Sequence, residues 1–192
     1  MANNVYNYVE VSGTDEVLNK FEEMGKSLIT QRETTDWEGK PMLIDEYNGI
    51  EELKFMPEFD EVHDTYYNWY CDNVGAKWCH IEEWTDDYMN LCSAWSACIP
   101  FTERLTAELG KIDPHVQVRH QYEDEFRNFI GVIVHEGVDA EEVFFNEVDD
   151  GDLAHLFKEQ HPEFNHDDDE WTDEMYEAYD DLVYNWFQDQ TV

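Results

Sequence analysis

Carboxylates outnumber cations so heavily in this chain that they decide what can lie inside it. There are 47 Asp and Glu against 11 Lys and Arg, a net charge of −36 over 192 residues. A buried carboxylate is costly unless cations or several hydrogen bonds hold it, and eleven cations can hold few. The acids must stay outside, and the interior must come from the hydrophobic 42%, which includes seven Trp, eleven Tyr and eleven Phe. Acidic chains that stay disordered are poor in aromatics. This one is therefore predicted to fold, as one domain of ordinary size with a small appendage.

The same excess restricts partners. Duplex DNA carries one charge per ~1.7 Å, so 36 charges correspond to about 60 Å of duplex. Such a surface repels nucleic acid and anionic membrane and attracts basic partners at long range. The first ten residues hold no basic segment followed by an apolar one, and no run approaches the ~18 apolar residues of a membrane helix. A cytoplasmic setting is the expectation. Cys71, Cys79, Cys92 and Cys98 are separated by seven, twelve and five residues, which fits no common zinc spacing. They are read as buried free thiols.

Alternation over Val5–Val11 predicts a strand, and Thr14 caps a helix with Val17, Leu18, Phe21 and Met24 inward and Gly25 at its end. Residues 27–41 show no periodicity and read as a loop; Met42–Tyr47 reads as a short strand. A helix is expected over Asp60–Asn73. Strands follow at Lys77–Trp84 and Tyr88–Trp95, then a helix after Pro100, then strands at His115–Tyr122 and Asn128–His135, with another at Glu142–Val148. Strands interspersed with helices, without a strict βαβ alternation, predict an α+β fold: an antiparallel or mixed sheet with helices on one face. Trp69, Trp78 and Trp95 are expected in its core. The domain is drawn over 1–148. An acidic extension over 149–192 is expected to pack on it, with helices at Gly151–Gln160 and Thr172–Gln188.

Several motifs carry a resemblance. Tyr67-Asn68-Trp69-Tyr70 leads into Asn73-Val74-Gly75-Ala76-Lys77-Trp78; then come Ser93-Ala94-Trp95-Ser96-Ala97-Cys98-Ile99-Pro100, Tyr122-Glu123-Asp124-Glu125 and Phe129-Ile130-Gly131-Val132. In this order they resemble the YubB ferredoxin-like domain family of plasmid and phage proteins over about residues 1–136. That family shows W-x-x-x-N-W-G-T-K-W, T-A-W-S-P-P, Y-x-E and F-x-G. Val74, Ala76 and Ala97-Cys98 depart from it, at positions of packing and a turn. The resemblance implies a ferredoxin-like fold and a mobile-element setting. It implies no active site, since the family's biochemical function is not established.

The residues themselves offer no Ser-His-Asp set, phosphate loop or Rossmann signature. Val148 and Phe157 spoil a calcium loop at Asn146–Asp152, and His161 and His166 beside Asp167–Asp169 match no zinc helix. The reading is a non-enzyme without cofactor or metal. The sharpest signal lies in the tail, where residues 136–192 hold 20 acids and one base, Lys158. There Trp171, Met175, Ala178, Tyr179, Leu182 and Trp186 make an apolar helical stripe, and Glu170, Asp173, Glu174, Glu177, Asp180 and Asp181 make an acidic one. No Lys or Arg stands four residues from any of these acids. Like charges at that spacing cost roughly 0.2–0.5 kcal/mol per pair, and solubility needs a net charge of only about 2–8. The acidic stripe, with Asp167, Asp168 and Asp169 before it, is therefore read as a stand-in for DNA phosphates. It would bind a basic, nucleic-acid-binding host protein and inhibit it. The rivals are a scaffolding module with incidental charge, a salt-adapted surface, and a small metal-dependent enzyme.

Overall fold

The computed structural model describes residues 3–59, 65–137, 139–146, 152–164 and 171–190, with the side chains of 143–146 and 152 left aside. Among them are eight strands and five α-helices. In chain order they are β1 (Asn4–Ser12), α1 (Asp15–Ser27), β2 (Ile29–Thr35), β3 (Pro41–Tyr47), α2 (Tyr66–Asn73), β4 (Cys79–Trp84), β5 (Tyr88–Ala94), α3 (Ile99–Leu109), β6 (Gln117–Asp124), β7 (Phe129–Glu136), β8 (Asp139–Asn146), α4 (Asp152–Gln160) and α5 (Asp173–Asp189).

Six strands form one sheet in the order β4-β5-β1-β6-β7-β8, every neighbouring pair antiparallel. It follows that β1 and β4 run parallel with β5 between them, and that β5 and β6 run parallel with β1 between them. The chain reaches β4 from β1 through α1, and β6 from β5 through α3.

Period-two burial sets the faces. Val5, Val9 and Val11 of β1 are buried on one side, where α1, α2 and α3 close a core with Phe21, Trp69, Phe101 and Leu105. Tyr6 and Tyr8 point to the other side. The register puts Glu123, Gln121 and Arg119 beside them, and Ile130, Val132 and Val134 beyond. Those β7 residues meet Leu153 and Phe157 of α4 and Met175, Tyr179, Leu182, Val183, Trp186 and Phe187 of α5 in a second core. The C-terminal helices thus cover the β7 end of the opposite face.

Glycine contacts fix two joints. Gly75 has φ +94°, and a Cβ there would lie 2.4 Å from Pro100 Cδ, so the turn before β4 excludes a side chain. Gly25 lies inside α1, where alanine would add up to ~1 kcal/mol of helix propensity. However, its Cβ would fall 2.5 Å from Cγ of buried Trp84, whose ring also packs on Phe21 at 4.9 Å. Overpacking costs about 1–3 kcal/mol, so packing wins. Gly25→Ala is expected to lower the melting temperature by several degrees; an unchanged or raised value in thermal unfolding would refute it.

The fold departs from the sequence reading in several places. Thr14 precedes α1 without a side-chain cap bond, and Gly25 lies two residues short of the helix end. Helix α2 begins at Tyr66 after an extended Thr65, with 60–64 of the expected helix outside the described residues. The 27–41 loop is mostly a hairpin, β2 pairing with β3 as a separate two-stranded sheet. Asp36 Oδ1 closes its turn by accepting from the Glu38 and Lys40 amides at 2.9 and 2.8 Å. Trp95 is exposed, because the chain leaves β5 through a left-handed residue there (φ +73°) and Ala97 and Cys98 turn inward in its place. Trp78 is half-buried, stacked on His80 at 4.9 Å; only Trp69 is fully interior. Asp124, an acid expected on the outside, is buried and accepts from the Asn128 amide at 3.0 Å and from the Asn3 and Asn128 side chains.

Candidate partner-binding site

Helix α5 forms where an apolar stripe and a capping residue coincide. Thr172 Oγ1 accepts from the Met175 amide at 3.3 Å, and Asp173 and Glu174 occupy the first turn, where the helix dipole favours anions. At the other end, Arg119 of β6 donates from Nη2 to the Phe187 carbonyl at 2.6 Å and to that of Gln190 at 3.4 Å. A cation thus meets the negative helix end. Met175, Tyr179, Leu182 and Trp186 of the expected stripe are buried, Trp171 and Ala178 are half-buried, and Val183 and Phe187 complete the inner face.

Burying that stripe turns the acids outward. Asp173, Glu174, Glu177, Asp180 and Asp181 are all exposed; Glu170, Asp167, Asp168 and Asp169 lie outside the described residues. One acid differs from the rest. Asp180 pairs with Arg127 Nη2 at 2.7 Å. Arg127 sits in the β6–β7 turn with φ +55°, over the Tyr179 ring at 5.2 Å and 3.6 Å from Glu123. Asp180 is therefore committed to an internal pair. Spacing along α5 cannot reveal a cation that arrives from another element.

The structure adds aromatics that the sequence reading did not include in the site. Tyr176 and Tyr184 are 57% and 63% exposed among the outer acids. Their offset of eight residues, clear of the inner stripe, was the available signal. Beside them a groove of about 650 Å3 runs between α5 and the β6–β7 turn, lined by Phe126, Trp171, Tyr176 and Tyr179. Phe126 at its rim is 72% exposed.

Two other clusters are sealed. Thr102, His120 and His135 are at most 3% exposed, and with Asn7 they form a hydrogen-bonded chain between β1, α3, β6 and β7. His135 Nε2 lies 3.2 Å from Thr102 Oγ1, Thr102 Oγ1 lies 3.3 Å from His120 Nδ1, and His120 Nε2 lies 2.9 Å from Asn7 Oδ1. Asn7 Nδ2 donates onward to Ser93 Oγ at 2.9 Å. With both imidazoles donating from Nε2, Thr102 Oγ1 accepts from His135, and its own proton goes to the Ile99 carbonyl at 3.0 Å or to His120 Nδ1 at 3.3 Å. This joint holds α3 to the sheet. Cys79 and Cys98 are buried with sulfurs 3.3 Å apart. Cys71 and Cys92 are only half-buried, contrary to the expectation of buried thiols, because they lie on the outer sides of α2 and β5. Among the described residues no three His, Cys, Asp or Glu gather as a ligand set, and no helix there is long and apolar enough to cross a membrane. Comparison with protein-family models, curated proteins and solved structures finds no match, so the functional reading rests on the geometry of this face.

Proposed function

We propose that this protein works without catalysis, as an acidic decoy that occupies the nucleic-acid site of a basic host protein. The observation that carries the reading is the outer face of α5, where exposed carboxylates and exposed tyrosines share one rigid helix that bears no cation. Successive acids along it rise about 5 Å, against ~3.4 Å per phosphate along one DNA strand. Carboxylates of this kind substitute for phosphates at Arg and Lys contacts, and net charge steers the encounter. Tyr176, Tyr184 and the Phe126 groove supply the aromatic anchors that tight interfaces require, which a surface kept only for solubility does not need.

On the same proposal, the unit β1-α1-β4-β5-α3-β6 is a ferredoxin-like core extended by β7 and β8, of the YubB kind. The setting is the cytoplasm of a bacterium carrying a phage or plasmid, and the target a restriction, nuclease, repair, nucleoid or defence protein. The test is capture from such a host lysate at low and high salt, followed by competition. The expected result is a basic partner whose affinity falls steeply with salt and whose complex is displaced by duplex DNA. A partner that holds DNA and this protein together refutes the decoy and favours scaffolding.

A further inference from the structure

Helices α4 and α5 leave half of their sheet face open. Past the end of α5, the outward residues of β6, β1 and β5 line a groove of about 210 Å3, with Tyr6 and Tyr8 as its floor, Phe187 on one wall, and Glu82 and Glu123 among its rim. Tyr6 and Tyr8 are 43% and 36% exposed. The Tyr8 ring lies 5.4 Å from that of Tyr88 on the neighbouring strand, tilted by 31°. An open antiparallel face ordinarily carries polar residues, so a tyrosine floor there calls for an occupant.

We propose that this groove binds an arginine side chain of a basic protein segment. The chemistry selects that occupant over the alternatives. A planar guanidinium stacks on tyrosine faces and donates in a fork that matches carboxylates. Glu82 supplies a carboxylate at the rim, while Glu123 beside it already faces Arg127 at 3.6 Å and burial pushes its carboxyl up. Burial, with the charges of Glu125 and Glu82 beside it, pushes the Tyr6 phenol up. Two cations lie near this face: Arg119, beside Tyr8, donates to the end of α5, and Arg127 pairs with Asp180; neither lines the groove. Sheet aromatics also stack nucleic-acid bases, but such platforms sit in basic grooves that track the phosphates. Here the rim is acidic in a chain of net charge −36, and that repulsion opposes a polynucleotide and favours the cation.

The inference rests on the reading that the partner is basic, and it adds a second contact point on a face separate from the outer side of α5. Its test needs no identified partner. The probe is an end-blocked peptide, Ser-Gly-Arg-Gly-Ser, titrated against the whole chain while the tyrosine ring signals are followed by NMR, with the citrulline version as the neutral isostere. The arginine peptide is expected to shift the Tyr6 and Tyr8 rings saturably and the citrulline peptide to leave them unchanged. Tyr6→Ser with Tyr8→Ser, both at exposed positions, should weaken binding by roughly tenfold. Charge reversal at Glu174, Glu177 and Asp181 should leave it intact, which keeps this test separate from the decoy's. The proposal is overturned if citrulline binds as well as arginine, or if the tyrosine variant binds like the parent. It is likewise overturned if a thymidine oligonucleotide shifts the same rings, or if the face proves to be a dimer interface that the tyrosine variant dissolves.

Discussion

Acidification from pH 7 to pH 5 is expected to remove about 2 kcal/mol of folding stability through His120 alone. Burial in the joint between α3 and the sheet, and then the neighbouring His135, lower the His120 pKa from about 6.5 to about 3. The folded state thus holds a neutral imidazole. The unfolded chain protonates it below about pH 6.5, and wherever the unfolded state binds more protons stability falls as pH falls. The window is therefore pH 6.5 down to about 3, with a slope of about 1.4 kcal/mol per unit. Desolvation lowers the His135 pKa as well, which acts in the same direction. Partial protonation of surface carboxylates relieves self-repulsion and acts oppositely, so the comparison is made against His120→Gln, which retains an amide donor for Asn7. Urea unfolding at pH 7 and pH 5, above the isoelectric point of about 4.1, should show a smaller loss in the variant by about 2 kcal/mol. Equal losses in parent and variant would mean that the His120 joint does not govern acid stability.

What could be read from the sequence follows from burial. β1 was legible because one face packs on α1 and α3, which imposes period two on Val5, Val9 and Val11; α5 was legible because its inner stripe enters a core. The β2–β3 hairpin was not. Nearly every residue in it is exposed on both sides, so no burial pattern marks its register. The Thr-rich strand and the turn at Asp36–Lys40, closed by Gly39 at φ +79°, were the remaining signals. Trp95 failed for a different reason. Its composition says core, but a left-handed backbone at the strand's end reversed its direction. Within the candidate site, the acids of α5 could be placed from periodicity, whereas the Asp180–Arg127 pair joins positions 53 residues apart. Tyr6 and Tyr8 stood at the outward positions of β1. Their exposure became meaningful only once α5 was seen to stop short of them.

Reversing three acids on the outer face of α5 is expected to raise the dissociation constant for the basic partner by a factor of about 10²–10³, at the scale of lost charge pairs within an interface. Glu174, Glu177 and Asp181 are the residues to change to Lys, since all three are exposed and Asp180 is already committed to Arg127. The control reverses Glu23, Glu33 and Glu58, exposed acids on α1, on β2 and in the segment before α2. Each variant moves the net charge from −36 to −30, three reversals of two units. Long-range steering, which depends on total charge and is screened beyond about 8–10 Å, falls to a similar extent in both, and the control should lose less than about tenfold. Circular dichroism must show α5 intact. Glu174 lies in the first turn, where a cation opposes the dipole by about 0.3–1 kcal/mol, but the buried stripe holds the helix. A large gap between the two variants then locates the interaction on α5, because only local contacts differ. Should they bind alike, the carboxylates of this helix do not replace phosphates, and its charge is a solvated surface that the apolar stripe happens to orient.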